Sequence, residues 1–183
     1  GQVTQPAKGQ GKGKGESQMI EIRVTGLEDL TDATGEMKKW GERPFDGGAA
    51  LRIRKNWMTR IGQAFDSKGQ SIGTKWKPLK PAYAAWKGRH FPGRPLLVLR
   101  GPMKKSLTEE SSRNAIFNRK GGRQLILGTR IKYAKFHQYG VEKTNLPARP
   151  FFKVDQGLVN DWAKEMAKDV ELAEKGSKRW RAR

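Results

Sequence analysis

Residues 123–152 read RQLILGTRIKYAKFHQYGVEKTNLPARPFF, and the rest of the chain is arranged around this stretch. Leu125, Ile126 and Leu127 form a short apolar strand that ends at Gly128-Thr129. An aromatic-spaced segment with Tyr133, Phe136 and Tyr139 follows and stops at Gly140. A polar loop then leads into Leu146-Pro147-Ala148-Arg149-Pro150-Phe151-Phe152. Two prolines flanking Arg149 fix φ at their own positions and push the residue before each into extended geometry. The spacing therefore predicts an arginine held out on a stiff arm. Rigid presentation of a guanidinium, which pairs bidentately with carboxylates, suits docking better than chemistry.

Working outward, Asn114 to Asn118 pairs with Arg123 to Thr129 as an antiparallel hairpin turned at Gly121-Gly122. The flanking Lys120 and Arg123 predict a solvated tip. Met19 to Thr25 alternates Ile20, Ile22 and Val24 with Glu21, Arg23 and Thr25, the period of a strand with one buried face. Three segments carry helical spacing. Leu27 to Trp40 is broken by Gly41 and Pro44, and Gly48 to Phe65 carries the stripe Ala50, Ile53, Trp57, Ile61, Ala64. Leu158 to Ala173 is the third, with Asp155 and Asp161 toward its positive end and Lys175 toward its negative end. Met103 to Leu107 reads as a short helical piece after Gly101-Pro102.

The chain has 183 residues, enough for one domain with a modest core, since 35% of residues are apolar and 31% charged. No apolar run approaches the roughly 20 residues that span a bilayer, and no hydrophobic signal core opens the sequence, so no membrane partner is expected. Cysteine is absent, and the two histidines, His90 and His137, have no thiolate to complete a zinc set, so neither metal nor cofactor is expected. No serine sits in a nucleophile elbow, and the acids cluster in helices where solvated faces explain them; the reading is not an enzyme. His137, one helical turn after Tyr133, reads as a structural hydrogen-bonding residue.

Net charge is +20, and its distribution is uneven. Residues 68–105 carry ten bases and no acid, and residues 175–183 carry five bases and no acid. Such segments attract polyanions, either nucleic acid or an acidic protein surface. Within the first, Trp76, Tyr83, Trp86 and Phe91 interleave with Lys75, Lys77, Lys80, Lys87, Arg89 and Arg94. Base stacking on a positive groove needs this pattern, and so does an aromatic- and arginine-rich interface loop. Gly1 to Gln18 is Gly/Lys-rich with no apolar periodicity, the composition of a flexible arm, and its glycines fail the P-loop spacing. Lys178, Arg179 and Arg181 belong to a basic tail after Gly176.

Gly128-Thr129, Tyr133-Ala134, His137-Gln138, Gly140 and the Pro147-Ala148-Arg149-Pro150-Phe151 box resemble the late core of the tailed-phage virion morphogenesis family, the Mu-like tail-completion proteins. Trp76-Lys77-Pro78-Leu79 with Tyr83, and Leu97 to Leu107 containing Gly101 and Ser106-Leu107, fall in the family's order. The resemblance spans about Met19 to Val170. It implies a non-enzymatic protein of the joint between phage capsid and tail, located in the virion neck and assembled in the host cytoplasm. A hexameric homo-oligomeric ring is expected. Its partners would be portal, adaptor or head-closure proteins on one side and tail terminator or tail tube proteins on the other, with possible contact to packaged DNA. The resemblance also favours the interface reading of the basic segment.

The expectation is thus an α+β fold: an antiparallel β-sheet packed against two or three α-helices over residues 19–174, with extended basic tails at 1–18 and 175–183 and a basic, aromatic-containing loop region at 66–105. Assembly contacts are expected at Trp76, Tyr83, Tyr133, His137, Gln138, Arg149 and Phe151. Polyanion contacts are expected at Lys75, Lys77, Lys80, Lys87, Arg89, Arg94, Lys178, Arg179 and Arg181. The rival readings are a nucleic-acid-binding module using residues 68–105 and a tail terminator.

Overall fold

The structure is a computed structural model that describes residues 3–4, 20–25 and 42–181. The expected helix over Leu27 to Trp40 and most of the N-terminal arm lie outside the described residues. The elements in order are β1 (Val3–Thr4), β2 (Ile20–Thr25), α1 (Ala49–Asp66), a 3-10 turn (Gln70–Ile72), α2 (Pro81–His90) and α3 (Pro102–Thr108). Then come β3 (Ala115–Lys120), β4 (Gln124–Thr129), α4 (Ala134–Tyr139), a second 3-10 turn (Glu142–Thr144) and α5 (Gln156–Arg181). The fold is α+β, as expected.

The strands form one antiparallel sheet in the order β1-β2-β4-β3. Leu125 and Leu127 on β4 are fully buried, and on either side they pair with Val24 and Ile22 of β2 and with Arg119 and Phe117 of β3. The two leucines share a face because side chains alternate along a strand. Against that face lies the stripe of α1, with Ile53, Trp57, Ile61, Ala64 and Phe65 buried. The stripe was legible from its 3.6-residue period. Phe45, Leu107, Leu158, Trp162 and Met166 complete the same core.

Long-range polar contacts fix how the helices sit. Asp169 on α5 accepts from the Ala49 backbone N–H at 2.8 Å, capping the first turn of α1 from a different helix, and it also pairs with Arg52. Arg52 donates to Glu165 Oε2 at 2.8 Å as well, so α1 and α5 are tied by one guanidinium and two carboxylates. The start of α5 is capped by Asp155, whose Oδ1 accepts from Leu158 N–H at 2.7 Å. At the end of the inner strand β4, Thr129 is buried with Ser106 of α3, and their hydroxyls hydrogen bond at 2.6 Å.

Two expectations change. The Gly121-Gly122 turn is a solvated tip only in part, with Lys120, Gly121 and Arg123 exposed. Both glycines have positive φ, but Gly122 is buried and its carbonyl accepts from Phe45 N–H at 3.0 Å. A Cβ there would meet Asp46 Oδ1 at 2.5 Å, so the close approach needs glycine. Likewise, α5 does not stop near Ala173 but passes through Gly176 to Arg181. Lys, Arg and Trp continue a helix readily, and one interior glycine costs only about 1 kcal/mol. Lys178, Arg179 and Arg181 therefore lie on helical backbone rather than on an extended tail.

Candidate functional site

The Pro-Arg-Pro box is an internal brace, and this corrects the expected exposed arm. Arg149 is only 3% exposed. Its Nε donates to the Lys77 carbonyl at 2.8 Å, its Nη2 donates to the Pro78 carbonyl at 3.0 Å, and its backbone N–H donates to the His137 carbonyl at 2.7 Å. The prolines do stiffen the segment. What they present the guanidinium to is this chain's own backbone, because the extended 76–80 segment has carbonyls with no ladder partner.

Three more of the expected assembly residues serve the same brace. Trp76 is buried, donates from Nε1 to the Pro150 carbonyl at 2.6 Å and meets Phe65 edge-on at 5.6 Å. Phe151 is buried and stacks on Phe65 at 5.9 Å. Gln138 donates from Nε2 to the Phe152 carbonyl at 2.7 Å and accepts from Phe151 N–H at 3.1 Å. Trp76, Phe151 and Arg149 are thus buried against their own chain, and of the three Arg149 also lines a surface groove. Gly140 lets α4 turn into the box: its φ is 75°, and a Cβ would meet Ala148 N at 2.8 Å.

What the brace positions is a groove of about 720 Å³ between residues 79–104 and the α4 side of the molecule. Its walls are Leu79, Leu96, Leu97, Leu99, Pro102 and Pro147, joined by Tyr83 and Tyr133. These two tyrosines, 44% and 42% exposed, are the expected assembly residues that the structure leaves accessible. Lys80, Lys87, Arg100, Lys104 and Arg149 supply five cations, and no acidic side chain lines the groove. Residues Leu96 to Leu99 were visible only as an apolar run, and Arg100 and Lys104 were not singled out. The signal that could have found them is an apolar run of which Val98 alone is fully buried, leaving its neighbours half-covered.

Lys87 also departs from its expected role. It is 4% exposed, and its Nζ donates to the Pro95 carbonyl and, at 3.1 Å, to the Leu96 carbonyl, clipping the 91–97 loop back onto α2. Burial pulls its ammonium below the ordinary lysine value. Lys75, Lys77, Lys80, Arg89 and Arg94 are exposed, as a polyanion contact requires.

His137 sits beside the groove with its ring edge-on to Tyr133 at 6.1 Å. The hydrogen bond expected of its side chain is absent at Nδ1, which is buried without a partner among the described residues; the backbone carbonyl carries the contact to Arg149 instead. Burial, then the nearby Arg149 cation, hold the imidazole below its ordinary pKa. Among the described residues, no group of three or more His, Cys, Asp and Glu could hold a metal, and no helix is long and apolar enough to cross a membrane.

The scaffold is braced from within and exposes a cationic apolar groove and an aromatic helix. The sequence profile of the phage virion morphogenesis family matches residues 51–171, and the chain belongs to that family. The match is narrower than the 19–170 span expected: it begins inside α1 and leaves out β2. Its role is accordingly structural or assembly-related in the phage virion, in a family that is not an enzyme class. The chain is also 30% identical, over 139 residues covering 74% of it and 94% of the relative, to an uncharacterized protein of Methanocaldococcus jannaschii. No solved structure matches it.

Proposed function

We propose that this protein completes the joint between capsid and tail, in the manner of the Mu-like tail-completion proteins, as a ring of identical subunits, hexameric to match tail symmetry. One observation carries the reading. Helix α2 exposes every residue but Lys87, and Tyr83 and Trp86 stack on each other at 5.4 Å on its surface. An amphipathic helix pays for its order by burying a face; this one contributes nothing to its own core, and clustered exposed aromatics are typical of contact surfaces. Membership of a virion assembly family makes other virion proteins the natural partners, with portal, adaptor or head-closure proteins on one side and terminator or tube proteins on the other. Its place is then the virion neck.

The test is a virion lineage lacking this polypeptide: separate full capsids and finished tails are expected, and firmly joined particles would refute the reading. A second reading, nucleic-acid binding through residues 68–105, is favoured by the stacking of Trp86 with His90 at 4.9 Å beside the exposed Arg89 and Arg94. Salt titration separates the two. Tight DNA binding with a steep salt slope supports the second, and a ring-sized species with weak DNA affinity supports the first.

A further inference from the structure

Arg149 and Lys87 are the two most deeply placed cations of the groove, and each is satisfied only by backbone carbonyls of its own chain. A guanidinium has five N–H donors and an ammonium three, so both keep donors beyond the two bonds each makes. No carboxylate of the described residues pairs with either, and none lines the groove. A buried cation without an anion carries an uncompensated desolvation cost, which an incoming carboxylate would relieve. The walls above these cations are aliphatic: Leu79, Leu97 and Leu99 stand half-buried, and Arg100 and Lys80 are exposed at the rim.

We propose that this groove receives an acidic, leucine-rich segment of a different virion protein. Its apolar side chains insert between Leu79, Leu97 and Leu99, and its carboxylates meet the cations of the rim and floor. The proposal rests on the joint reading and names the chemistry of its partner. A second copy of this chain fits poorly. The chain carries +20, and Asp66, Asp155, Glu165 and Asp169 are already engaged in ion pairs within it. Nucleic acid fits poorly too. A phosphate backbone follows accessible cations and bases stack on open aromatic faces, whereas this floor is recessed, its walls are mostly leucine and proline, and of its two tyrosines Tyr83 is already stacked on Trp86.

The test uses the full chain and a fluorescein-labelled peptide of alternating glutamate and leucine, read by anisotropy. Saturable binding is expected, weakened about tenfold or more when glutamine replaces glutamate, and weakened similarly by Lys80→Glu with Arg100→Glu, because the contact is charge-assisted. Leu99→Ser should also weaken it while circular dichroism stays unchanged. Equal binding of the glutamine peptide, no effect of the charge reversals, or displacement of the probe by oligothymidylate would each overturn the proposal. Sedimentation velocity of the Lys80→Glu, Arg100→Glu protein separates this from the joint reading. An unchanged oligomer is expected, whereas its dissociation would put a second copy in the groove and sink this proposal while the joint reading stands. Joined virions lacking the protein would sink the joint reading whatever the groove binds.

Discussion

The Nε of Arg149 and the backbone carbonyl of Lys77 meet at 2.8 Å across 72 residues of sequence, closing the 68–105 excursion onto the body of the protein. With the Nη2 bond to Pro78, one side chain satisfies two carbonyls that no strand or helix serves. Arg149→Met should orphan both, at about 1–3 kcal/mol each, and Arg149→Lys should recover part of the loss. Urea denaturation measures it. A change within about 0.5 kcal/mol, the range of an ordinary surface substitution, would show that the brace is not what holds the excursion.

Ser106 and Thr129 make a cleaner test of how α3 meets the end of β4, since both hydroxyls are buried and face each other at 2.6 Å. Ser106 Oγ also donates to the Met103 carbonyl at 2.9 Å and Thr129 Oγ1 also accepts from Ile131 N–H at 3.1 Å, so Ser106→Ala or Thr129→Val removes one bond of a small network and should cost about 0.5–1.5 kcal/mol. The double variant should cost less than the sum of the two, with a coupling of about 0.5 kcal/mol or more between residues in contact. Strict additivity in thermal melts would mean that the pair is not coupled.

Asp169→Ala should destabilise by about 1–2 kcal/mol, the usual cost of losing a helix N-cap, because Asp169 caps α1 from another helix. It also strips Arg52 of the partner that, through a hydrogen bond, most strongly raises its pKa. Leu172→Ala, three residues along the same helix and 63% exposed, is the matched control and should stay within about 0.5 kcal/mol. Equal effects of the two substitutions would refute the capping role.

The spans of α1 and of the β3–β4 hairpin were legible because period and turn chemistry are local properties, and a buried face imposes them on the sequence directly. Arg149 and Lys87 were misread for the opposite reason. A cation is by default solvated, and only the placement of the carbonyls of Lys77, Pro78, Pro95 and Leu96 around these two side chains makes burial tolerable. Stiffness could be read from two prolines; direction could not. The groove was illegible for a related reason, since its walls come from residues 79–104 and 133–149, and no local spacing reports that they meet.

His137 gives a pH dependence with a definite sign. Its folded pKa is depressed by burial and by Arg149, so below the ordinary value of about 6.5 the unfolded chain binds more protons than the folded one. Stability from this group is complete above about pH 6.5 and is lost as pH falls through that value toward the folded pKa. Melting temperature should therefore drop between pH 7 and pH 5.5, and His137→Gln should flatten the drop while leaving assembly intact. An equally steep profile in the variant would assign the effect elsewhere.

The long closure between Lys77 and Arg149 also sets a schedule on the ribosome. A nascent chain carries its leucine-walled excursion through translation with the latch still unsynthesised, so the groove takes shape only after the Pro-Arg-Pro segment emerges. Chains stalled before Arg149 should be cut by trypsin between Lys75 and Arg94 faster than the complete chain. Late closure of this kind leaves the groove unformed in an unfinished polypeptide.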